Sequence, residues 1–579
     1  MRILGVNCYG HDASATLVVD GVPVCAVEEE RFLRKKHTGV FPENAIRCCL
    51  EMGGIEGRTL DAVGFYWDPT VHRARQALHM ARYFPASLNL LKARGDTARL
   101  LSAIKPKLSA HLGVPESKVH YVEHHMAHAA SAFFVSPFED AAIFSYDGVG
   151  EWTTTLYAMG RGNHITKHSE VYFPHSLGDF YSMMTEYLGF RHSGGEGKVM
   201  GLASYGDASK YYDRLRPLVQ ILGDGQYRLD TSYLRYHTHG KYQWFSPKLV
   251  ELLGPARPYE SEMTQKCMDI AAAMQKVVED SVLELLKWHH QQTQTTKLTI
   301  SGGVGLNSVV NGRIITESPF TEVFVQPAAN DASGSFGAAY HLYHQVFKQP
   351  RRYVMSHAYL GPEIPEDRHR AAIEKEGLTY EKLSRDEIIE RTASMLADGK
   401  IVGWFQGRME YGPRSLGNRS ILSAPFPAEM KDILNARVKH REPFRPFAPS
   451  LPAELVGEYF EHDYPSPFML MVYKTRAEKK SKIPAVDHVD GTGRVQGVER
   501  DTNPLYYDLI TRFGQKTGVP VLLNTSFNVR GEPIMHAPEQ ALDCFLGEDM
   551  DALVLGSLFL DKRQVPMHKR RAGGAKALD

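Results

Sequence analysis

Two stretches of the chain repeat one plan, a strand, an acidic turn and a second strand, and this repeat limits the fold more than any other feature. Residues 3–7 are a short apolar run, residues 9–14 a tight polar turn, and the apolar runs 16–19 and 22–27 flank Asp20-Gly21, a strong hairpin dipeptide. The plan returns with a strand at 142–146, a turn at Asp147-Gly148-Val149-Gly150 and a strand at 153–159. Two related halves that each offer a turn and a carboxylate suit a cleft holding a nucleotide's phosphates and their metal. Two ordinary hairpins are the competing reading, because Asp favours turns in any case.

Between the repeats, His124 and His128 stand four residues apart in His124-His125-Met126-Ala127-His128-Ala129-Ala130-Ser131. On a helix both imidazoles leave one face and converge on a single cation. The chain has 26 His, so a solvated or capped pair competes with a site, and the neighbours have to decide. Asp331 follows the apolar run 322–325 and precedes a small-residue helix from 336 to 340. It either caps that helix or completes a hard His/Asp metal site with His124, His128 and Asp147.

Glycine marks two further candidates. The segment 193–206 is glycine-dense and carries Lys198, which suits a backbone approaching a phosphate or sugar, but it lacks the GKS/T ending of a P-loop and equally reads as a flexible loop. The strand 297–300 feeds Gly302, Gly303 and Asn307 into a helix, a nucleotide-cradling arrangement whose GGxGxN pattern differs from the dinucleotide fingerprint. The charge run 28–37 reads as a solvated face, although its Lys36, just ahead of Gly39 and a helix starting at Pro42, is a candidate to point into a site. Residues 70–118 read as amphipathic helices, an insertion or lid.

The pattern restarts after residues 349–364, which read as a linker. A strand at 401–405 enters a run in which Arg and Gly alternate, with Arg414 and Arg419; Lys439, Arg441 and Arg445 follow among prolines, then Arg494, and a buried strand at 522–524 breaks into Ser526 and Asn528. Arginines on glycine-rich loops form forks for planar oxyanions such as phosphate or carbamate, with a surface basic patch as the rival. The tail from Pro566 is basic and Gly/Ala-rich and is expected to be disordered.

At 579 residues the chain exceeds one core, and roughly 150 residues per domain gives about two large domains or about three to four small ones. Lys+Arg and Asp+Glu balance at 67 each, which argues against a surface that grips nucleic acid or anionic membrane as a whole and leaves room for a local basic pocket. Six cysteines without a CxxC point to a reducing compartment. Residues 2–6 have no signal-peptide layout, and no apolar run approaches about 18 residues. A cytoplasmic protein with no nucleic-acid or membrane partner is expected.

Read together, VNCYGHDAS, EEERF, HHMAHAAS, FSYDGVGEWTT, GGEGKVMGLASYG, SGGVGLNS, AANDASGSFGAAY, MEYGPRSLGNRSIL, REPFRPFAP, GRVQ and LLNTSFNVRGEPI span almost the whole chain in order. This set resembles the O-carbamoyltransferases that modify nodulation factors, cephems, aminoglycosides and other natural products. The resemblance implies an α/β and α+β chain: an actin-like (ASKHA-type) duplicated ATPase domain over 1–348, followed by a YrdC-like domain over 365–565. It implies that carbamoyl phosphate and ATP form carbamoyl-adenylate with release of pyrophosphate, and that the carbamoyl group then passes to a hydroxyl of a small-molecule acceptor as AMP leaves.

Carried onto this chain, the resemblance makes His124, His128, Asp147 and Asp331 ligands of a divalent metal, iron by implication, with Mg²⁺ accompanying ATP. His11 is the implied general base, oriented by Asp12. Lys198, Gly302, Gly303 and Asn307 would line the nucleotide site, and Arg414, Lys439, Arg445, Arg494 and Ser526 the carbamoyl phosphate site, with Lys36 and Asn528 as further candidates. Acceptor choice is expected in 70–118 and in the Tyr/Trp-rich loops of 207–260, including Tyr227, Tyr233, Tyr236, Tyr242 and Trp244. A homodimer is implied. A tRNA threonylcarbamoyl transferase-like enzyme and an inactive nucleotide-binding scaffold are the alternatives.

Overall fold

The computed structural model describes residues 1–571 and 573. It divides into two compact units: residues 1–29 with 37–355, and residues 30–36 with the chain from Ser356 onward.

The first unit contains one five-stranded plan twice. Strands β1 (Arg2–Asn7), β2 (Ser14–Val19), β3 (Val22–Glu28), β4 (Ala62–Phe65) and β5 (Val119–Tyr121) form a sheet in the order β3-β2-β1-β4-β5. Within it β1–β2 and β2–β3 are antiparallel, while β1–β4 and β4–β5 are parallel. The strands β6 (Asp140–Tyr146), β7 (Thr153–Arg161) and β8 (His164–Tyr172) are followed by a small hairpin of β9 (Val219–Ile221) and β10 (Tyr227–Leu229), then by β11 (Lys297–Ser301) and β12 (Glu322–Val325). Leaving the small hairpin aside, these form the order β12-β11-β6-β7-β8 with the same directions. Strand order and direction thus agree in the two halves, the duplicated layout of an actin-like ATPase domain. The central strands are buried along almost their whole length, as expected where helices cover both faces.

Between the halves, helix His124–Phe133 is buried at every residue. It lies against helix Ser333–Tyr340 so closely that a Cβ at Gly337 would stand 1.7 Å from the carbonyl oxygen of Ala127, which leaves glycine as the residue that fits. That approach carries Asp331 toward the histidines. The region 70–118 forms helices Arg73–Arg82, Ser87–Ser102 and Ile104–Leu112 in the crossover from β4 to β5.

The second unit is a nine-stranded mixed sheet of β13 (Glu381–Lys382), β14 (Val402–Phe405), β15 (Arg419–Ser423), β16 (Ala448–Pro452), β17 (Met471–Lys474), β18 (Thr492–Val498), β19 (Leu522–Ser526), β20 (Ala552–Leu555) and β21 (Leu558–Asp561), ordered β13-β21-β20-β14-β15-β19-β16-β18-β17. Trp404 and Leu422 of the sheet share one core with Leu509, Ile510 and Phe513 of helix Pro504–Thr517 and with Ile388 and Leu396 of helix Arg385–Ala397.

Several expectations change. The charge run is no solvated face: Glu28, Glu29 and Arg31 are 4%, 1% and 2% exposed. Glu29 accepts from the backbone N–H of Ala45 at 2.8 Å, Arg31 donates to the carbonyl of Gly412 and Arg34 to those of Pro533 and Ile534, so each charge has fixed polar partners. The segment 193–206 is largely a helix, Glu196–Ala203, with Lys198 buried beside Phe190. Residues 349–364 are not a free linker: Met355 N donates to Val135 O in the first unit, while Gly361 N donates to Met409 O in the second. The expected disordered tail is folded as far as 571, with a turn at Met567–Lys569 and Arg571 N donating to Leu546 O; position 572 and residues 574–579 lie outside the described residues.

Candidate functional site

In the first unit, the helical spacing sends His124 and His128 to one point, where their Nε2 atoms are 3.0 Å apart. Asp147, at the end of β6, places Oδ2 3.3 Å from His124 Nε2 and 3.0 Å from His128 Nε2. Asp331 Oδ1 stands 3.7 and 3.8 Å from the same nitrogens. The N-cap reading of Asp331 fails: helix Ser333–Tyr340 has Ala332 at its cap and no side-chain cap bond. All four residues are buried, and their donor atoms lie within 4.8 Å of one another.

The surroundings tune the donors. Ser333 Oγ donates to Asn330 O, so it accepts from His128 Nδ1 at 3.0 Å, which leaves the Nε2 lone pair facing the centre. Asp147 Oδ1 is held by Gly148 N at 2.7 Å, and the Asp331 carbonyl by Asn7 Nδ2 at 2.7 Å. Burial disfavours a charged His128, yet Asp147 and Asp331 raise its pKa to about 9. Asp147 is opposed by burial and is still held well below the carboxylate range by His124 and His128. The carboxylates therefore demand positive charge here, and a divalent ion bound by two imidazoles and two carboxylates fits that demand.

The glycine turn serves the same centre. Gly302 has φ +89° and a Cβ there would meet Tyr146 O at 2.2 Å, while one at Gly303 would come within 2.9 Å of Asp147 Oδ1. Asn307 does not present its side chain to this turn: it accepts from Val310 N and exchanges hydrogen bonds with Gln275 at 3.0 and 3.2 Å. Lys198 is buried, with its ammonium 5.7 Å from the centroid of the Phe190 ring.

Beside the centre, His11 Nδ1 pairs with Asp12 Oδ2 at 2.8 Å, and its Nε2 faces Asp331 Oδ2 at 3.8 Å. The His11 side chain is 41% exposed, so a substrate can reach it. Burial works against its charge, but Asp331 and then Asp12 raise its pKa well above the usual value. Asp12 Oδ1 is shared with His37 Nδ1 at 2.8 Å.

In the second unit, Arg414 follows β14 and Arg494 sits on β18. Each keeps its Nε out of solvent without a hydrogen-bond partner, and neither has a carboxylate partner among the described residues. Burial and Arg445 lower Arg414 to about 10, and burial with Arg414, Arg441 and Arg445 holds Arg494 well below the usual guanidinium range. Lys439, 3% exposed, donates to Ser526 O at 2.8 Å, Asn528 O at 2.8 Å and Asn528 Oδ1 at 2.7 Å, and Ser526 Oγ also donates to Asn528 Oδ1 at 2.7 Å. Burial depresses Lys439 strongly, and Lys36 stands among the cations that add to the effect. Arg445 is 3.8 Å from Glu442. This cluster is recessed, which removes the surface-patch reading, and it gathers like charges of which Arg414 and Arg494 have no carboxylate partner among the described residues.

Arg419, in the same run, is structural: fully buried, it donates to Gly407 O at 3.0 Å and stacks 3.7 Å from the centroid of Phe405. Tyr227 and Tyr236 are also packing residues, at 1% and 3% exposure, with their hydroxyls bonded to Thr155 and to Pro174 O.

Several supporting residues carried no sequence signal of their own. Glu151 accepts from the backbone N–H of His124 at 3.0 Å and of Asp68 at 2.7 Å, and burial raises it to about 8. Glu410 accepts from the N–H of Leu416, Asn418 and Arg419 at 2.8, 2.9 and 3.1 Å, moulding the loop that begins at Arg414. A lone acid inside a run of Arg and Gly was the one available clue.

The family descriptions "Carbamoyltransferase N-terminus" and "Carbamoyltransferase C-terminus" match residues 2–340 and 393–562. An uncharacterized protein of Synechocystis sp. is 42% identical over 98% of each chain. The nodulation protein NolNO of Sinorhizobium fredii is 37% identical over 96% of this chain and 80% of its own. The 3'-hydroxymethylcephem-O-carbamoyltransferase of Streptomyces clavuligerus is 32% identical over 58% of this chain and 59% of its own. With a recessed cationic cluster, a His/Asp centre and both family regions matched in order, the chain belongs to the carbamoyltransferase family and is an enzyme of that class.

Proposed function

We propose that the protein is an ATP-dependent O-carbamoyltransferase whose second, YrdC-like unit activates carbamoyl phosphate and whose first unit transfers the carbamoyl group to a hydroxyl of a small natural product. The observation that carries this reading is the pair Arg414 and Arg494, two recessed guanidinium groups with no carboxylate partner. An oxyanion supplies what the protein leaves out, and planar forks suit its geometry. Arg445 and Lys439 add charge, and Ser526 with Asn528 fixes the lysine.

Atom balance sets the order of the first half-reaction. Carbamoyl phosphate gives up its phosphate to water; a carbamate oxygen then attacks the α-phosphorus of ATP, forming carbamoyl-adenylate as pyrophosphate leaves. Carbamate is labile in water, so a dry, cationic recess extends its lifetime.

In the second half-reaction the acceptor hydroxyl gives its proton to His11 Nε2, its oxygen bonds to the carbamoyl carbon, and the bond to AMP breaks. Asp12 on Nδ1 fixes the imidazole and favours the charged product of that transfer. A divalent ion held by His124, His128, Asp147 and Asp331, iron in this reading, would supply positive charge to the departing AMP phosphate. It would also compensate Asp331, the main charge that keeps His11 protonated. Gly302 and Gly303 let nucleotide phosphate approach beside Asp147.

The test is mass spectrometry of the purified protein with ATP, carbamoyl phosphate, Mg²⁺ and Fe²⁺ in the absence of acceptor. Carbamoyl-adenylate and pyrophosphate should form only when carbamoyl phosphate is supplied. Arg414→Ala should lower both about 10²–10³-fold, whereas His124→Ala should leave adenylate formation intact. Folded wild-type protein that makes no adenylate overturns the reading.

A further inference from the structure

The helices inserted between β4 and β5 turn an apolar face outward. Leu78, Phe84, Leu88, Leu91 and Leu100 are 71%, 69%, 53%, 58% and 46% exposed. They are five of the fifteen large apolar side chains exposed among the described residues, so exposed apolar area is concentrated in this insertion, with Leu100 on the far side of its helix from Leu91. The face is ordered. On helix Ser87–Ser102, the exposed Leu88, Leu91, Gly95 and Ala98 follow helical spacing along one stripe, while Leu90 and Leu101 point inward at 1% and 5% exposure. On helix Arg73–Arg82, the exposed Ala74, Leu78 and Ala81 do the same, and Phe84 lies in the bend between the helices.

The basic residues of the insertion differ in what they meet. Arg75, Arg94, Lys105 and Lys107 lie over the rings of Tyr172, Trp152, Tyr121 and Phe41, at 3.7, 5.2, 4.3 and 4.3 Å, with Arg75 and Lys107 themselves exposed. Arg73, Arg82, Lys92 and Arg99 are exposed beside the apolar stripes, and none has a carboxylate partner among the described residues. Asp96 is the sole acid between Arg73 and Lys107 in the sequence. A chain whose overall charge is balanced therefore concentrates positive charge around these exposed apolar residues.

We propose that this helical hairpin docks on an anionic lipid bilayer, with Phe84, Leu78, Leu88 and Leu91 entering the headgroup layer and Arg73, Arg82, Lys92 and Arg99 meeting lipid phosphates. Charge complementarity selects this occupant. A second copy seated symmetrically on the same face brings cations against cations. A nucleic acid satisfies the cations and leaves the leucines and Phe84 in water. An anionic bilayer surface takes both, as interfacial amphipathic helices do. No helix of the described residues is long and apolar enough to cross a membrane, and surface docking needs none. The expectation of no membrane partner rested on the absence of a crossing segment and on net charge, neither of which reports a local face.

The experiment is co-sedimentation of the full chain with phosphatidylcholine vesicles and with vesicles that also contain phosphatidylglycerol, at low and high salt. The expected result is binding to the anionic vesicles alone, weakened by salt. Phe84→Ser with Leu88→Ser should lower the partition by about a hundredfold, as the loss of two buried apolar side chains requires. Lys92→Glu with Arg99→Glu should lower it by at least about fivefold per charge removed, with an unchanged far-UV spectrum. Equal binding to neutral and anionic vesicles, or no binding to either, overturns the proposal. So does a concentration-dependent dimer that Phe84→Ser dissolves, because a second copy then covers the face.

Discussion

In the first unit, the imidazoles of His124 and His128 lie within 3.3 Å of Asp147, so opposite charges are assembled by the protein itself. In the second, Arg414 and Arg494 are recessed with no carboxylate among the described residues. The first centre is electrostatically nearly complete, and in the function proposed above an ion replaces its protons. The second is incomplete, and in that same proposal a substrate brings the missing charge. A binding site for a resident ion and one for a passing substrate differ in this way because a released substrate must not leave behind a pair of groups that has collapsed on itself.

The largest effect that would break this contrast is on stability at the first centre. His128→Ala leaves Asp147 and Asp331 short of a partner, and a broken buried pair costs about 3–5 kcal/mol, so metal-free protein should show that loss in denaturant unfolding. Arg414→Ala should act in the reverse sense on stability, which holds or rises, while adenylate formation falls about 10²–10³-fold, the usual cost of one oxyanion donor. If that variant loses stability instead, Arg414 has a structural partner and the contrast fails. Inorganic phosphate should raise the unfolding free energy of wild-type protein by about 2.7 kcal/mol at 100 times its dissociation constant and of Arg414→Ala by much less, which calorimetry can read.

A smaller effect separates imidazoles that have carboxylates from those that do not. His289, fully buried against Ile143 O, is lowered by burial to about 3, opposite in direction to His128. Its folded pKa is below its unfolded value of about 6.5, so the folded form binds fewer protons. The stability it contributes is complete above about pH 6.5 and is lost as pH falls toward 3, by about 2 kcal/mol at pH 5. His289→Gln should therefore lose less thermal stability than the wild type between about pH 7 and pH 5. Equal losses would show that this ring is not held neutral.

What the sequence made legible was short-range. Helical spacing alone aims His124 and His128 at one point, and a strand followed by an Asp turn places Asp147 at a strand end. Arg414 was recognisable by the glycines around it, but nothing local separated it from Arg419, five residues on. One is a recessed cation without a partner, and the other is fixed by Gly407 O and the Phe405 ring. Asn307 looked like part of a nucleotide turn and is instead held by Gln275, a partner 32 residues away. The charge run from Glu28 looked solvated because its partners, among them Ala45, Gly412 and Pro533, lie in segments that no window of sequence contains.

By itself, then, the sequence determined the repeated strand plan, the convergence of the histidine pair and the types of side chain available for oxyanion binding, because each follows from backbone periodicity and residue chemistry. The tertiary structure alone decided that Asp331 turns from its helix cap toward the histidines, which Arg remains without a counterion, and which basic residues of 73–107 lie over aromatic rings. Those outcomes depend on burial and on partners distant along the chain, and burial sets the free energy of a charge more strongly than the identity of its sequence neighbours.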